Sequence, residues 1–272
     1  MINNNLNFIP PANFHLMGVT ILEPPATVSR WVQCFCLIDG RKYSESFIEE
    51  KLYPDAGTSL TFTVNEYNAH VSFLNNTQVF IKRWNMLNNY IIIRFKPGGA
   101  FALLGLDVSE IRDIDVDFTD LNFTHKIHTS LLLDTLPKLN IIEQHRLLQD
   151  WLINLFCKAS PRFDKLDALL LQASENVLSP LKLAEYNGVG HRTLQRYVRK
   201  HLGTTTNKLH CFAQIRSARQ KLILTSNVIA DIGLDCGYFD QSHFTNAFRE
   251  HTLETPLQYR KRKLSQISNN IF

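Results

Sequence analysis

The sequence predicts an α+β protein: a β-rich N-terminal part, a helical bridge, and an all-α C-terminal domain with two helix-turn-helix units joined by a linker helix. Three observations carry that expectation. The segment Leu183–Leu202 recurs at Ile232–Thr252, offset by 49 residues before the turn and 50 after it. Basic residues concentrate in the same part of the chain. Short β-branched and aromatic runs, separated by Asn-rich turns, fill the N-terminal part instead.

Within the repeat, Leu183-Ala184 answers to Ile232-Gly233, Gly188-Val189 to Gly237-Tyr238, Leu194 to Phe244, and Val198-Arg199 to Phe248-Arg249. Each copy reads as a short helix, a glycine turn and a longer helix with one polar side, a pattern whose second helix can enter a DNA major groove. In the first copy Ser179 stands at an N-cap and Pro180 at the first helical position, where its missing N–H leaves no bond unmade. Leu181, Ala184 and Tyr186 supply an apolar side, and Asn187-Gly188 ends the helix, because glycine tolerates a left-handed backbone. The next helix, about His191 to Leu202, spaces Leu194, Tyr197, Val198 and Leu202 helically. In the second copy Asp240 is the N-cap, and Phe239 is expected to staple onto Phe244. Phe244, Ala247 and Phe248 face inward, leaving Gln241, Ser242, Thr245 and Asn246 outward. Periodicity alone fits two amphipathic helix pairs in an ordinary helical core equally well.

Charge and connector length favour the DNA reading. The chain carries +4 overall, but Pro180–Lys263 holds 14 Lys+Arg against 6 Asp+Glu, a net of +8, which leaves −4 for the remainder. A basic module joined to a mildly acidic one is the distribution of a DNA-binding domain fused to a regulatory domain. Arg260-Lys261-Arg262-Lys263, taken alone, reads as a solvated charged face. Between Thr205 and Leu224 there is no proline or glycine, and Leu209, Phe212, Ile215, Ala218 and Leu222 recur at helical spacing. Twenty helical residues span roughly 30 Å, and a DNA turn is about 34 Å, so such a rod suits two recognition helices in successive major grooves.

Leu194-Gln195-Arg196, Ile215-Arg216 through Ala218-Arg219, the run Gly237-Tyr238-Phe239-Asp240-Gln241-Ser242-His243-Phe244, and Thr255-Pro256-x-x-Tyr259-Arg260 together resemble the AraC/XylS family of bacterial transcription regulators, over roughly Phe163 to Lys263. The resemblance implies that Arg192, Gln195 and Arg196 approach bases from the first unit, and Gln241, Ser242, His243, Thr245 and Asn246 from the second. Arg199, Lys200 and Arg249 are expected on phosphates. The chain departs from the family pattern at Gly190 (usually a serine cap), Gly233 (usually alanine) and Leu253 (commonly glycine). The stretch from Leu52-Tyr53-Pro54-Asp55 to Arg94-Phe95-Lys96-Pro97-Gly98-Gly99-Ala100 resembles an N-terminal domain carried by many AraC-type regulators.

Length and composition allow two domains, each with its own core. Met1-Ile2-Asn3-Asn4-Asn5 lacks the basic and apolar regions of a signal peptide, and no apolar run approaches a membrane span, so a cytoplasmic protein without membrane partners is expected. Five cysteines without framework spacing suit reduced thiols. Cys34-x-Cys36 alternates like one face of a strand and is read as core rather than metal site, and His125 and His128 make no better ligands. No phosphate loop, nucleophile elbow or zinc-protease helix occurs, so neither enzymatic activity nor a cofactor or metal is expected.

Leu60–Val64, Val71–Leu74, Val79–Ile81 and Tyr90–Phe95 read as strands of a small antiparallel sheet or barrel. Lys96-Pro97-Gly98-Gly99 breaks the chain before a short helix, Ala100 to Leu106; its amides offer either an anion site or a plain strand-to-helix turn. Asn140 caps a helix with Glu143 at its third position. Leu147, Leu148, Trp151, Leu152, Leu155 and Phe156 then form a broad apolar stripe, read as core or, alternatively, as a homodimer contact through 141–156. The expected division is 1–157 for sensing or dimerisation, 158–163 as linker, 164–263 for DNA binding and 264–272 as tail. Function is expected to be sequence-specific regulation of promoters, with RNA polymerase contacts altered by a small-molecule effector of the N-terminal domain, its site unknown. Control by a protein partner is the alternative. A DNA-repair alkyltransferase fused to an AraC-like module is more remote, since its chemistry needs a low-pKa thiolate and Cys34 and Cys36 sit among aromatic and aliphatic neighbours.

Overall fold

A computed structural model describes residues 17–40, 46–109, 111–121, 129–175 and 177–268. His125 and His128 lie outside these residues. Among the described residues, eight strands form two antiparallel sheets. The larger holds β1 (Thr20–Leu22), β2 (Val32–Ile38), β4 (Thr58–Val64), β5 (Ala69–Leu74), β7 (Asn89–Phe95) and β8 (Asp115–Asp117), in the order β1-β2-β7-β4-β5-β8. A two-stranded ribbon pairs β3 (Phe47–Leu52) with β6 (Phe80–Asn85).

Alternation along β2 and β7 sorts side chains to two buried faces. Phe35, Leu37, Ile91 and Ile93 join one core with helical residues Leu103, Leu148, Leu152 and Leu155. Cys34, Cys36, Ile38, Tyr90 and Ile92 join another with Ile48 and Trp84 of the ribbon. Both faces of the sheet are therefore covered, which is why β7 is buried at every position. The Cys34 and Cys36 sulfurs lie 3.9 Å apart inside the second core. Their mutual hydrogen bond and burial push the Cys36 thiol up, so Cys36 is not a poised nucleophile. Among the described residues no group of His, Cys, Asp or Glu is arranged to hold a metal, and no helix is long and apolar enough to cross a membrane.

The Lys96–Gly99 break is a turn, the Gly99 amide donating to the Lys96 carbonyl at 2.8 Å, and α1 (Gly99–Leu104) is too short for an N-terminal anion site. After the short helix α2 (Ser130–Thr135), α3 (Ile141–Ala159) begins with a full capping box. The Asn140 side chain accepts from Ile142 and Glu143 amides at 3.0 and 3.1 Å, and the Glu143 carboxylate accepts from the Asn140 amide at 3.1 Å. Its stripe packs on the chain's own sheet, Trp151 meeting Phe62 edge-on at 5.8 Å between centroids. Among its apolar residues only Ile142 is strongly exposed, which leaves a homodimer through 141–156 without an apolar seam.

The remaining helices are α4 (Lys165–Glu175), α5 (Pro180–Tyr186), α6 (His191–Leu202), α7 (Thr206–Leu224), α8 (Ile229–Asp235), α9 (Gln241–Thr252) and α10 (Pro256–Ser268). The connector α7 starts where Thr205 accepts from the Lys208 amide. It is a shared core rather than a free rod. Leu209 and Phe212 pack with Leu183, Leu194 and Val198, while Ile215, Ala218 and Leu222 pack with Ile232, Phe244 and Phe248.

Three local expectations are corrected. Phe239 does not staple onto Phe244: it is 87% exposed, and Tyr238 takes that place with its ring 5.2 Å from Phe244. Tyr186 likewise projects to solvent, 79% exposed, because Leu183 and Ala184 already fill the inward face of α5. The basic run at 260–263 is not a solvated face, as detailed below.

Candidate nucleic-acid interface

Each unit positions its second helix by the same devices. The turn after α5 passes through Gly188 at φ 62°, and the turn after α8 through Gly237 at φ 83°. The Val189 amide returns to the Ala184 carbonyl at 2.8 Å, and the Tyr238 amide to the Gly233 carbonyl at 3.0 Å. Gly233 is there for space, since a Cβ would meet the Phe244 ring at 3.0 Å. Helix α9 is capped by Asp240, which accepts from the His243 amide at 2.7 Å; Gly190, at the equivalent place on α6, offers no side-chain cap. Both helices end in a left-handed residue, Gly203 at φ 64° and Leu253 at φ 60°. The leucine there is strained by about 1–2 kcal/mol.

On α6, Leu194, Val198 and Leu202 are buried while Arg192, Gln195, Arg196, Arg199 and Lys200 are exposed. Among the described residues no carboxylate pairs with Arg192, Arg196 or Arg199; the nearby ion pair is His191 with Glu185 at 3.2 Å. On α9, Gln241, Ser242, His243, Asn246 and Arg249 are exposed and Thr245 is half-buried, with Phe244 and Phe248 beneath. Each helix thus presents a polar, donor-rich face over an apolar base, the arrangement direct readout requires. Lys200 stands apart. Its ammonium lies 5.3 Å from the Phe101 ring centroid of the N-terminal part. Burial raises the Asp107 carboxyl, but hydrogen bonds from Ser109, and then the charges of Lys200 and His201, hold it below its ordinary value.

Sequence reasoning missed how firmly the N-terminal part grips both units. The loop between β3 and β4 inserts Tyr53 among Ile215, Ala218, Phe248 and Tyr259, and Ala56 among Leu169, Leu194 and Phe212. Asp55 holds the loop by pairing with Arg94 and accepting from the Gly57 amide at 2.9 Å. The Arg219 guanidinium lies 4.1 Å from the Tyr53 ring centroid and donates to the Tyr259 hydroxyl at 3.0 Å. Arg262 donates to the Tyr53 hydroxyl at 3.2 Å and grips Glu254 in a fork, while Lys51 donates to Glu254 at 2.9 Å. Burial raises the Glu254 carboxyl, but these two cations outweigh it and hold it below its ordinary value. Burial, with Arg219 and Arg262 nearby, pulls the Lys263 ammonium down to about 7.

The run at 260–263 therefore works mostly inward. Arg260 donates to the Leu222 and Asn227 carbonyls, Arg262 and Lys263 are in the interface, and Lys261 alone of the four is fully exposed. On the other unit, the Asn75 amide reaches the Leu202 carbonyl at 3.3 Å, and the His201 ring lies 4.0 Å from Phe101 and 3.8 Å from Tyr197, centroid to centroid. Tyr259 and Glu254 beside the basic run were the available sequence signal.

Comparison with known proteins agrees with this geometry. Residues 183–262 match a family described as "Helix-turn-helix domain", and residues 20–117 match "Domain of unknown function (DUF6597)". The HTH-type transcriptional regulator ArgR of Pseudomonas aeruginosa is 30% identical over 102 residues, covering 36% of this chain and 31% of the relative. The HTH-type transcriptional activator RhaR of Klebsiella pneumoniae is 30% identical over 109 residues, covering 38% of each. A solved structure of a transcriptional regulator from Chromobacterium violaceum, described as AraC-type DNA-binding domain-containing, is 35% identical over 35% of this chain and 88% of that one, with a TM-score of 0.33. The chain spans about a third of the length of the curated relatives it matches. Residues 183–262 therefore form a helix-turn-helix domain, similar to that of HTH-type transcriptional regulators.

Proposed function

We propose that the protein is a sequence-specific DNA-binding regulator of promoters in a reducing cytoplasm, whose N-terminal domain governs how its two units engage DNA. One observation carries the reading: α6 and α9 each present an exposed polar and basic face, while their opposite faces are locked into cores shared along α7. Arg192, Gln195 and Arg196, with Gln241, Ser242, His243, Thr245 and Asn246, read bases. Arg199 and Arg249 hold phosphates, and Lys200 does so only when it leaves Phe101. Nineteen residues of α7 extend about 28 Å, close to the spacing of successive grooves on one DNA face. RNA polymerase is the downstream partner, and an effector bound by the N-terminal domain is the input. The contacts of Tyr53 and Ala56 with the two units support such control.

The test begins with genome-wide mapping of the bound sites, followed by gel-shift titration on one of them. Arg196→Ala should weaken that site by roughly 1–3 kcal/mol and non-specific DNA much less. Gln241→Ala should relax base preference only in the second half-site. Equal losses on both DNAs would reassign Arg196 to phosphate anchoring, and a chain that binds no duplex would overturn the proposal.

A further inference from the structure

The second copy of the repeat carries one more residue in its turn than the first, and that residue is Phe239. Val189 and Tyr238 are equivalent. Both follow the glycine and turn inward, and their amides close back on the preceding helix at 2.8 and 3.0 Å. In the first copy Gly190 then leads directly into α6, whereas in the second Phe239 intervenes before Asp240, which caps α9. Phe239 is 87% exposed, and no ring or cation among the described residues pairs with it.

A single exposed apolar side chain needs no explanation by itself; its position here does. Phe239 stands just ahead of the exposed Gln241 and Ser242, at the N-terminal end of α9, the end from which a recognition helix reaches base edges. The backbone on either side of it is fixed. The Tyr238 ring is held by Phe244 and His243, each at 5.2 Å between centroids, and the Asp240 carboxylate accepts from the His243 amide at 2.7 Å. A short, stiff side chain on a fixed backbone has little freedom to lose on binding. A phenylalanine ring can neither hold a phosphate nor read a donor or acceptor by a conventional hydrogen bond. In the major groove the apolar group that marks one base is the thymine C5-methyl, and phenylalanine is among the side chains that contact it.

We propose that Phe239 is a specificity-determining residue, selecting thymine in the second half-site through its methyl group, beside the base read by Gln241. The first half-site has no counterpart, because Gly190 carries no side chain to make one. The methyl contact therefore also sets the orientation in which the two units occupy their site. This inference rests on the regulator reading above and adds to it a base that none of the polar residues of α9 reads.

The experiment selects binding sites for the full chain from a random duplex pool, in parallel for the parent and Phe239→Ala. The parent should select thymine at one position of the second half-site where Phe239→Ala accepts any base, with the other positions unchanged. On the selected duplex, replacing that thymine by uracil removes only the methyl group. It should weaken the parent about fourfold, the worth of one buried methylene-sized group, and leave Phe239→Ala unmoved. Phe239→Ala itself should lose about tenfold on that duplex and little on non-specific DNA. Its thermal midpoint should match the parent's, because the side chain is exposed, and Phe239→Leu should keep most of the thymine preference. A preference that survives Phe239→Ala, or a uracil penalty equal in both proteins, overturns the inference while the regulator reading stands. Equal losses on selected and non-specific duplexes make Phe239 a general holding contact and overturn it too. A parent chain that selects no duplex sinks the regulator reading, and this inference with it.

Discussion

Removing the Tyr53 side chain should uncouple the two halves of the molecule. Tyr53 is 7% exposed, inserted from the N-terminal domain into the core of the second helix-turn-helix unit. Deleting a buried aromatic side chain costs about 3–5 kcal/mol in transfer and cavity terms. The stacked Arg219 guanidinium adds about 1–2 kcal/mol for a desolvated cation–π contact, though the terms overlap. We therefore expect Tyr53→Ala to cost about 4 kcal/mol, felt at the interface rather than within either domain. Tyr53→Phe should cost about 1 kcal/mol, because only the bond from Arg262 is lost and that guanidinium keeps Glu254. Two probes separate the halves in urea. The three tryptophans, Trp31, Trp84 and Trp151, all lie in the N-terminal part, so fluorescence follows that domain, while far-UV circular dichroism is dominated by the C-terminal helices. The transitions should coincide in the parent chain and separate in Tyr53→Ala, with the helical signal lost first. Coincident transitions in Tyr53→Ala, or a loss below about 1 kcal/mol, well under a buried aromatic's usual value, would refute the reasoning.

Three further outcomes follow from particular residues. If several phosphates are neutralised, log K should fall with log salt at about −0.9 per contact, and Arg199→Ala or Arg249→Ala should flatten the slope by up to about one unit; salt-independent binding would remove the electrostatic footprint. Gln214, buried in α7, donates to the Cys236 carbonyl at 2.9 Å and so fastens the second turn to the connector; Gln214→Ala should cost about 1–3 kcal/mol in urea melts and weaken the second half-site more than the first. Lys263 has a folded-state pKa of about 7 against an ordinary 10.5, so the unfolded chain binds more protons between those values and stability should rise with pH from 7 toward 9. Replacing Lys263 with Met should abolish that rise, and an unchanged slope would mean that another group produces it.

The C-terminal architecture was legible because local signals agree there: a glycine turn and an apolar period occur twice, 49 residues apart before the turn and 50 after it. Where one of them rested on proximity in sequence alone, it failed. Phe239 neighbours the cap and is apolar, yet Tyr238 had the geometry to reach Phe244. In the first half, β4, β5, β6 and β7 could be read from β-branched runs, but β1, β3 and β8 are short, mixed or charged and exist only through their partners. Nothing local marks Glu49, Glu50 and Lys51 as strand; pairing with Arg83, Lys82 and Ile81 makes them so. The exposed residues of α6 and α9 follow from helical phase. The grip of Tyr53 does not, since Tyr53, Arg219 and Arg262 meet only once both domains are packed.

The Tyr53 contact also sets an order of events at synthesis. Its hydrogen-bonding partner Arg262 lies 209 residues further along the chain. At roughly 5–20 residues per second, the N-terminal domain waits about 10–40 s after Tyr53 is made before that partner exists. Through that interval the β3–β4 loop offers a bare aromatic ring and an unclaimed Lys51 to the surroundings. Nascent chains stalled before α10 should therefore be the ones that recruit chaperones or pair with each other, and release of the completed chain should end it.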